Sequence, residues 1–293
     1  MFFAQILLNS IVIGTQVLLL ALALYLVYAV SKTFHLALGG IGTSLAYCLY
    51  FGISNEYHLL LSILLTIILA IFLGMISYLL LEPFIRKQEY MLGMLIGFPF
   101  LIILESLIAI IFGSDGKSLI QGVLPIIKIG ELYITIPGMF TIVLGLCLII
   151  ISHILVCKTP WGRTLEGVSE NLNLAKSLMI HTAKIRFLIF IFTSFIAGLI
   201  IIFSSMNTSL SPYGSFDLLI MAFLALLIGG VKDIRGMIMA SFIITIITEL
   251  IINLSIISWN ISANLKMLFV FILSIVLLLW RPNGLLFYRQ RLS

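Results

Sequence analysis

Nine apolar runs punctuate this chain, at approximately residues 4–30, 36–53, 58–81, 91–112, 136–157, 187–206, 217–231, 236–256 and 264–280. A helix needs roughly 20 apolar residues to cross the hydrocarbon layer of a membrane. Hydrophobic residues make up 62% of the chain and charged ones only 9%, whereas a soluble chain is nearer half apolar and a quarter charged. A soluble fold has nowhere to hide so much apolar side chain, so the solvent must be lipid. The expected fold is all-α, a polytopic transmembrane protein of about nine spans (eight to ten). A single transmembrane domain over 1–293 accounts for the whole length, and no linker or low-complexity tail marks another. Met1 to Asn9 carries no basic region and no small-residue cleavage site, so the first run reads as a span rather than a removable signal.

Orientation follows from the basic residues. The gaps at 82–90, 158–186 and 232–235, the Lys32 turn and the C-terminal tail hold 13 of the 16 lysines and arginines. Lys117, Lys128 and Lys266 remain for the other face. Strict alternation of nine spans puts the basic gaps on one side, and positive charge collects on the cytoplasmic side of membrane proteins. The N-terminus is therefore expected outside and the C-terminus in the cytoplasm. A net charge of +5 distributed this way orients a membrane protein and does not point to nucleic acid.

Runs two and seven are short and carry Gly39-Gly40 and Gly229-Gly230. Paired glycines weaken a helix and let other backbone come close, and short glycine-interrupted runs in two halves of a transporter point to broken helices lining a path. Gly93 with Gly97, Ser194 with Gly198 and Ala225 with Gly229 are spaced for close helix contacts.

Two carboxylates lie inside apolar runs, Glu105 in the fourth and Glu249 in the eighth. A charge at the bilayer centre costs at least about 2.5–3.5 kcal/mol on insertion scales, so each needs a partner or a wet surface. Ser241, Thr245, Glu249 and Asn253 recur at four-residue steps and form one drifting polar stripe. That stripe either lines a path or bonds to another helix. Glu105 has no such stripe and reads as interhelical glue.

The 158–186 gap has its own internal pattern. Thr159-Pro160 suits a helix start, and Leu165, Val168, Leu172, Ala175 and Met179 recur at spacings of three and four. An apolar stripe on a connector needs a cover, either the membrane surface or a partner protein, and a partner is the favoured reading. Signs of catalysis are missing. The four histidines are scattered without a metal motif, GxSxG does not occur, and the 113–118 segment lacks the first glycine of a Walker A loop. Cys48, Cys147 and Cys157 fit no metal or disulfide framework and read as small apolar fillers. No catalytic residue, metal or cofactor is expected.

Four segments in order resemble the permeases of high-affinity branched-chain amino acid ABC importers. Trp161, Gly162, Arg163, Thr164 and Leu165, with Ala175 to Ile180, are similar to the family's cytoplasmic loop. Ala222 to Val231 is similar to its AF-x-A-x-x-LGG segment, Arg281 to Leu285 to its terminal RP-x-GL, and Phe112 to Asp115 to its GSD motif. The stretch Phe34 to Gly39 departs from the family's NFAHG, and Lys232 to Gly236 from its GS-x-(P/R)G, which bears on the substrate. The resemblance implies half of a translocation path for branched-chain or other small amino acids, with urea and short amides as competing solutes, in a multi-pass protein of the bacterial inner membrane. It implies a second homologous permease, two ATP-binding subunits and a periplasmic solute-binding protein as partners, with lipid around the whole. The substrate path would take in Gly39, Gly40, Glu105, Gly229, Gly230, Thr245, Glu249 and Asn253. The 158–186 loop would dock on an ATPase through Gly162, Arg163, Leu165, Val168, Leu172, Ala175 and Met179.

Overall fold

The computed structural model describes residues 2–120, 126–158, 167, 181–231, 234–258 and 265–280. Among these, nine helices follow the nine apolar runs: α1 (Phe2–Ser31), α2 (Leu38–Ser54), α3 (Leu59–Arg86), α4 (Tyr90–Phe112), α5 (Ile136–Lys158), α6 (Thr182–Asn207), α7 (Ser215–Gly229), α8 (Ile234–Ser258) and α9 (Leu265–Trp280). Five of them, α1, α3, α4, α6 and α8, are long and apolar enough to cross a membrane. The fold is all-α and polytopic.

Helix α1 is the axis of the bundle. Its residues Val17 to Leu24 are no more than 2% exposed, and α5, α6, α7 and α8 all pack around it. By contrast α3 and α4 turn Leu60, Ile68, Leu79, Leu95 and Ile110 outward, as a lipid-facing wall requires. Small residues set the internal contacts. A methyl on Gly42 of α2 would meet the Ala197 carbonyl of α6 at 2.8 Å, and one on Gly74 of α3 would meet the Ile191 backbone of α6 at 2.8 Å.

The glycine pairs bound their helices rather than interrupt them. Gly39 and Gly40 form the first turn of α2, while α7 stops at Gly229 because Gly230 takes φ +94. Gly93 of α4 faces both the non-helical stretch 32–37 and α3, where a methyl would lie 3.8 Å from Leu81 and Phe84, while Gly97 faces the 32–37 stretch. A methyl on Gly93 would lie 3.0 Å from Thr33, and one on Gly97 would lie 3.7 Å from Leu36 N. That stretch is pinned by Phe34, stacked on Tyr28 at 4.6 Å and edge-on to Phe223 at 5.1 Å. Buried irregular backbone needs cover from protein, and α4 supplies it.

A small β-hairpin interrupts the all-helical expectation. Strands β1 (Ile126–Ile129) and β2 (Leu132–Thr135) pair antiparallel through a two-residue Gly130-Glu131 loop. Gly130 adopts φ +64, which a glycine-first hairpin turn demands. The hairpin caps one end of α1. The Gln5 amide donates to Tyr133 O at 2.8 Å and its oxygen accepts from Tyr133 N at 3.0 Å. Thr135 then donates to Asn207 Oδ1 and accepts from Gly138 N at 3.2 Å, which caps α5.

The charges at the other end of α3 and α6 need a correction. The sequence places Glu82 and Arg186 in solvated gaps. In the fold both belong to helices, are 6% and 2% exposed, and face each other across α3 and α6.

Candidate functional site

Two polar sites form inside the bundle. At the hairpin end, α1, β2, α6, α7 and α8 enclose a cavity of about 440 Å³. Helix α1 contributes Leu8, Asn9, Val12, Ile13 and Gln16, whose spacing places them on a single face. The end of α6 adds Ser204, Asn207 and Thr208, the first turns of α7 add Asp217, Leu218 and Met221, and α8 adds Glu249. Glu249 is 8% exposed, and Asn253 one turn on donates to its backbone oxygen at 2.8 Å. Among the described residues the lining includes two carboxylates and no lysine, arginine or histidine.

A narrower space of about 70 Å³ continues inward, sharing Ser204, Thr208, Gly214 and Leu218 with the larger cavity and reaching Ser215. Ser215 begins α7 and donates to Glu105 Oε1 at 3.4 Å. The first turn of α2 meets the same place. A methyl on Gly39 would lie 3.3 Å from Ser215 Oγ and 3.2 Å from Leu219, and one on Gly40 would lie 3.1 Å from Leu101 O. Two helix N-termini thus pack on the α4 turn that carries Glu105, and their positive ends favour a carboxylate there. Glu105 is 5% exposed.

The residues singled out from the sequence do not all come together in the fold. Gly39, Gly40 and Glu105 meet at the α2–α4–α7 junction. Glu249, with Asn253 bonded to it, borders the larger cavity. Thr245, on the same helix, instead donates to Ser241 O at 2.9 Å and packs against Gly14 of α1. Gly229 lies at the far end of α7, against Gly236 and Met237 of α8, and Gly230 follows it. Gly162, Arg163, Leu165, Val168, Leu172, Ala175 and Met179 lie outside the described residues.

Reasoning on one helix at a time missed Asn9, Gln16, Asn207 and Asp217. The available signal was polarity at Asn9 and Gln16 within the largely apolar first run, on one face of α1. His35 is wholly buried in the 32–37 stretch, with its ring 5.1 Å from that of Phe190 and no hydrogen bond to either nitrogen.

A bundle of membrane-length helices with a polar cavity at one end is the architecture of a multi-pass transport protein. The sequence profile described as branched-chain amino acid transport system, permease component, matches residues 6–278, and the chain belongs to that family. It is 26% identical over 260 residues to a probable branched-chain amino acid transport permease protein LivH of Methanocaldococcus jannaschii, covering 84% of this chain and 80% of that one. Its fold is similar to that of PsaBC from Streptococcus pneumoniae, solved in complex with a Fab, with a TM-score of 0.52 at 14% identity over 95% of this chain and 91% of that one.

Proposed function

We propose that this chain is the permease subunit of an ABC importer, forming half of the translocation path for branched-chain or other small amino acids. The observation that carries the reading is the cavity at the hairpin end, in a chain whose family is that of transport permeases. Lys32, Arg86, Lys87 and Lys184 stand at the opposite ends of α1, α3 and α6, which is the cytoplasmic end by the positive-inside rule. The cavity then opens outward, where a periplasmic binding protein delivers solute. Nine spans, an outer N-terminus and a cytoplasmic C-terminus follow from the same charge pattern, in one domain of the bacterial cytoplasmic membrane.

Solute entering by the cavity passes Glu249 and the narrower space toward Ser215 and Glu105. The partners are a second homologous permease, two ATP-binding subunits and the binding protein. The 158–186 loop is the ATPase contact, through Gly162, Arg163, Leu165, Val168, Leu172, Ala175 and Met179. Urea or a short amide is the alternative cargo. A self-sufficient carrier using Glu105 and Glu249 is the reading that copurification separates. Pull-down of the tagged chain from its native membrane should bring ATP-binding subunits with it, and Leu172→Asp should lose them while the chain still inserts. A chain recovered without any ATPase would refute the importer reading.

A further inference from the structure

The geometry points to the 32–37 stretch as the inner gate of the path, with His35 as the side chain that gains hydrogen-bond partners when the gate opens. The assignment rests on the importer reading for what drives the opening and for the side on which the gate lies.

Position is the first ground. The larger cavity leads through the narrower space to Ser215 and Glu105, where Gly39 and Gly40 of α2 pack. From Gly39 the chain runs back through His35 to Lys32, at the basic end of α1. The stretch therefore lies between the Glu105 junction and the cytoplasm. A shift of it carries the first turn of α2 away from Ser215.

Unmet bonding is the second. Around His35 the chain is well bonded. Ser31 Oγ lies 2.9 Å from Thr33 Oγ1, Leu38 N donates to His35 O at 3.2 Å, and Ile41 N donates to Ala37 O at 2.9 Å. The His35 side chain is the exception. It is 0% exposed, and among the described residues neither ring nitrogen has a hydrogen-bond partner. A neutral imidazole carries one donor and one acceptor, and burying both unmade disfavours the shut state. Its ring rests on Phe190, and Arg186, one turn earlier on α6, is committed to Glu82.

Backbone strain is the third. Lys32 holds φ +58, a left-handed conformation that costs a residue other than glycine. Strain and an orphaned polar group in one short stretch mark a segment with a second arrangement. Phe34 is the counterweight. Held between Tyr28 and Phe223, it shuts the gate through apolar contact, which can part and re-form. Once the stretch moves, the His35 nitrogens reach water and gain the partners that the shut state denies them.

The test uses the unaltered chain with its copurifying subunits in lipid nanodiscs. Carbethoxylation of His35 by diethyl pyrocarbonate is followed by peptide mass spectrometry and normalised to N-acetylhistidine in the same tube. The rate should change about tenfold or more among nucleotide-free, MgATP-cycling and vanadate-trapped assemblies, because a shut gate leaves the open state at about 10% or less. His35→Phe removes the orphaned nitrogens and should favour the shut state about tenfold or more. Leucine uptake should fall on that order while ATP-binding subunits still copurify. His35→Gln, which keeps a donor and an acceptor, should restore uptake.

One His35 rate in all three assemblies would overturn the gate and leave the importer standing. So would a His35→Phe chain that transports as the parent does, or a His35→Gln chain no better than His35→Phe. The unaltered chain decides the matter alone if a variant fails to fold. A chain without ATPase partners would refute the importer. The gate would then stand if a mixture of branched-chain amino acids alone raised the His35 rate, and fall if it did not.

Discussion

Removing Glu82 should damage this protein more than removing its partner, and the geometry gives the reason. Arg186 donates to both oxygens of Glu82, from Nε at 2.8 Å and from Nη2 at 2.6 Å, and the two side chains are 3% and 8% exposed. Arg86 also donates to Glu82 Oε1 at 2.9 Å, but its own side chain is 66% exposed. Glu82→Leu leaves a guanidinium buried between α3 and α6 with no carboxylate. Breaking a buried pair in this way costs about 3–5 kcal/mol, or roughly two to three and a half powers of ten in the unfolding equilibrium. Arg186→Met leaves Glu82 still paired with Arg86, so its cost should be smaller, about 1–3 kcal/mol. The double variant, apolar at both positions, should recover to within about 1–2 kcal/mol of the parent, since an apolar pair often substitutes for a buried ion pair. Reversible unfolding in mixed micelles across this double-mutant cycle measures all three. Glu82→Leu within about 1 kcal/mol of the parent, or a double variant as damaged as the sum of the singles, would refute the reasoning.

Three other outcomes follow from the same structure. Gly236→Ala should destabilise by about 1–3 kcal/mol in thermal unfolding, because the Gly229 carbonyl already occupies the place of the new methyl and α7 and α8 must part. Glu249→Gln should assemble normally but transport poorly if the cavity is on the path; were it interhelical glue alone, worth about 0.6 kcal/mol, the change should be nearly silent in uptake. Reporter fusions after Arg291 and within the 113–135 segment should lie on opposite sides of the membrane, and the same side for both would sink the nine-span topology.

The helices were legible because lipid makes burial nearly uniform along a span. The fourth run, read as 91–112, is the helix Tyr90–Phe112, and the seventh, read as 217–231, is Ser215–Gly229. Legibility failed where the third dimension decides. The strands Ile126–Ile129 and Leu132–Thr135 are four residues each, too short for a period, and only Gly130 marks their turn. Glu82 and Arg186 lie 104 positions apart, so a charge count placed both in solvated gaps. The cavity draws one or a few polar groups from each of four helices and a strand, and no single helix pattern predicts the enclosure. The Ser241–Asn253 stripe was visible, but its members part company, with Thr245 turned to α1 and Glu249 to the cavity.

ATP-dependent solute uptake by the reconstituted assembly tests the central claim most directly. Proteoliposomes holding this chain with its copurifying permease and ATPase partners, given the cognate binding protein, should accumulate labelled leucine only when ATP is supplied. Accumulation without ATP, or uptake of urea in place of leucine, would contradict the account.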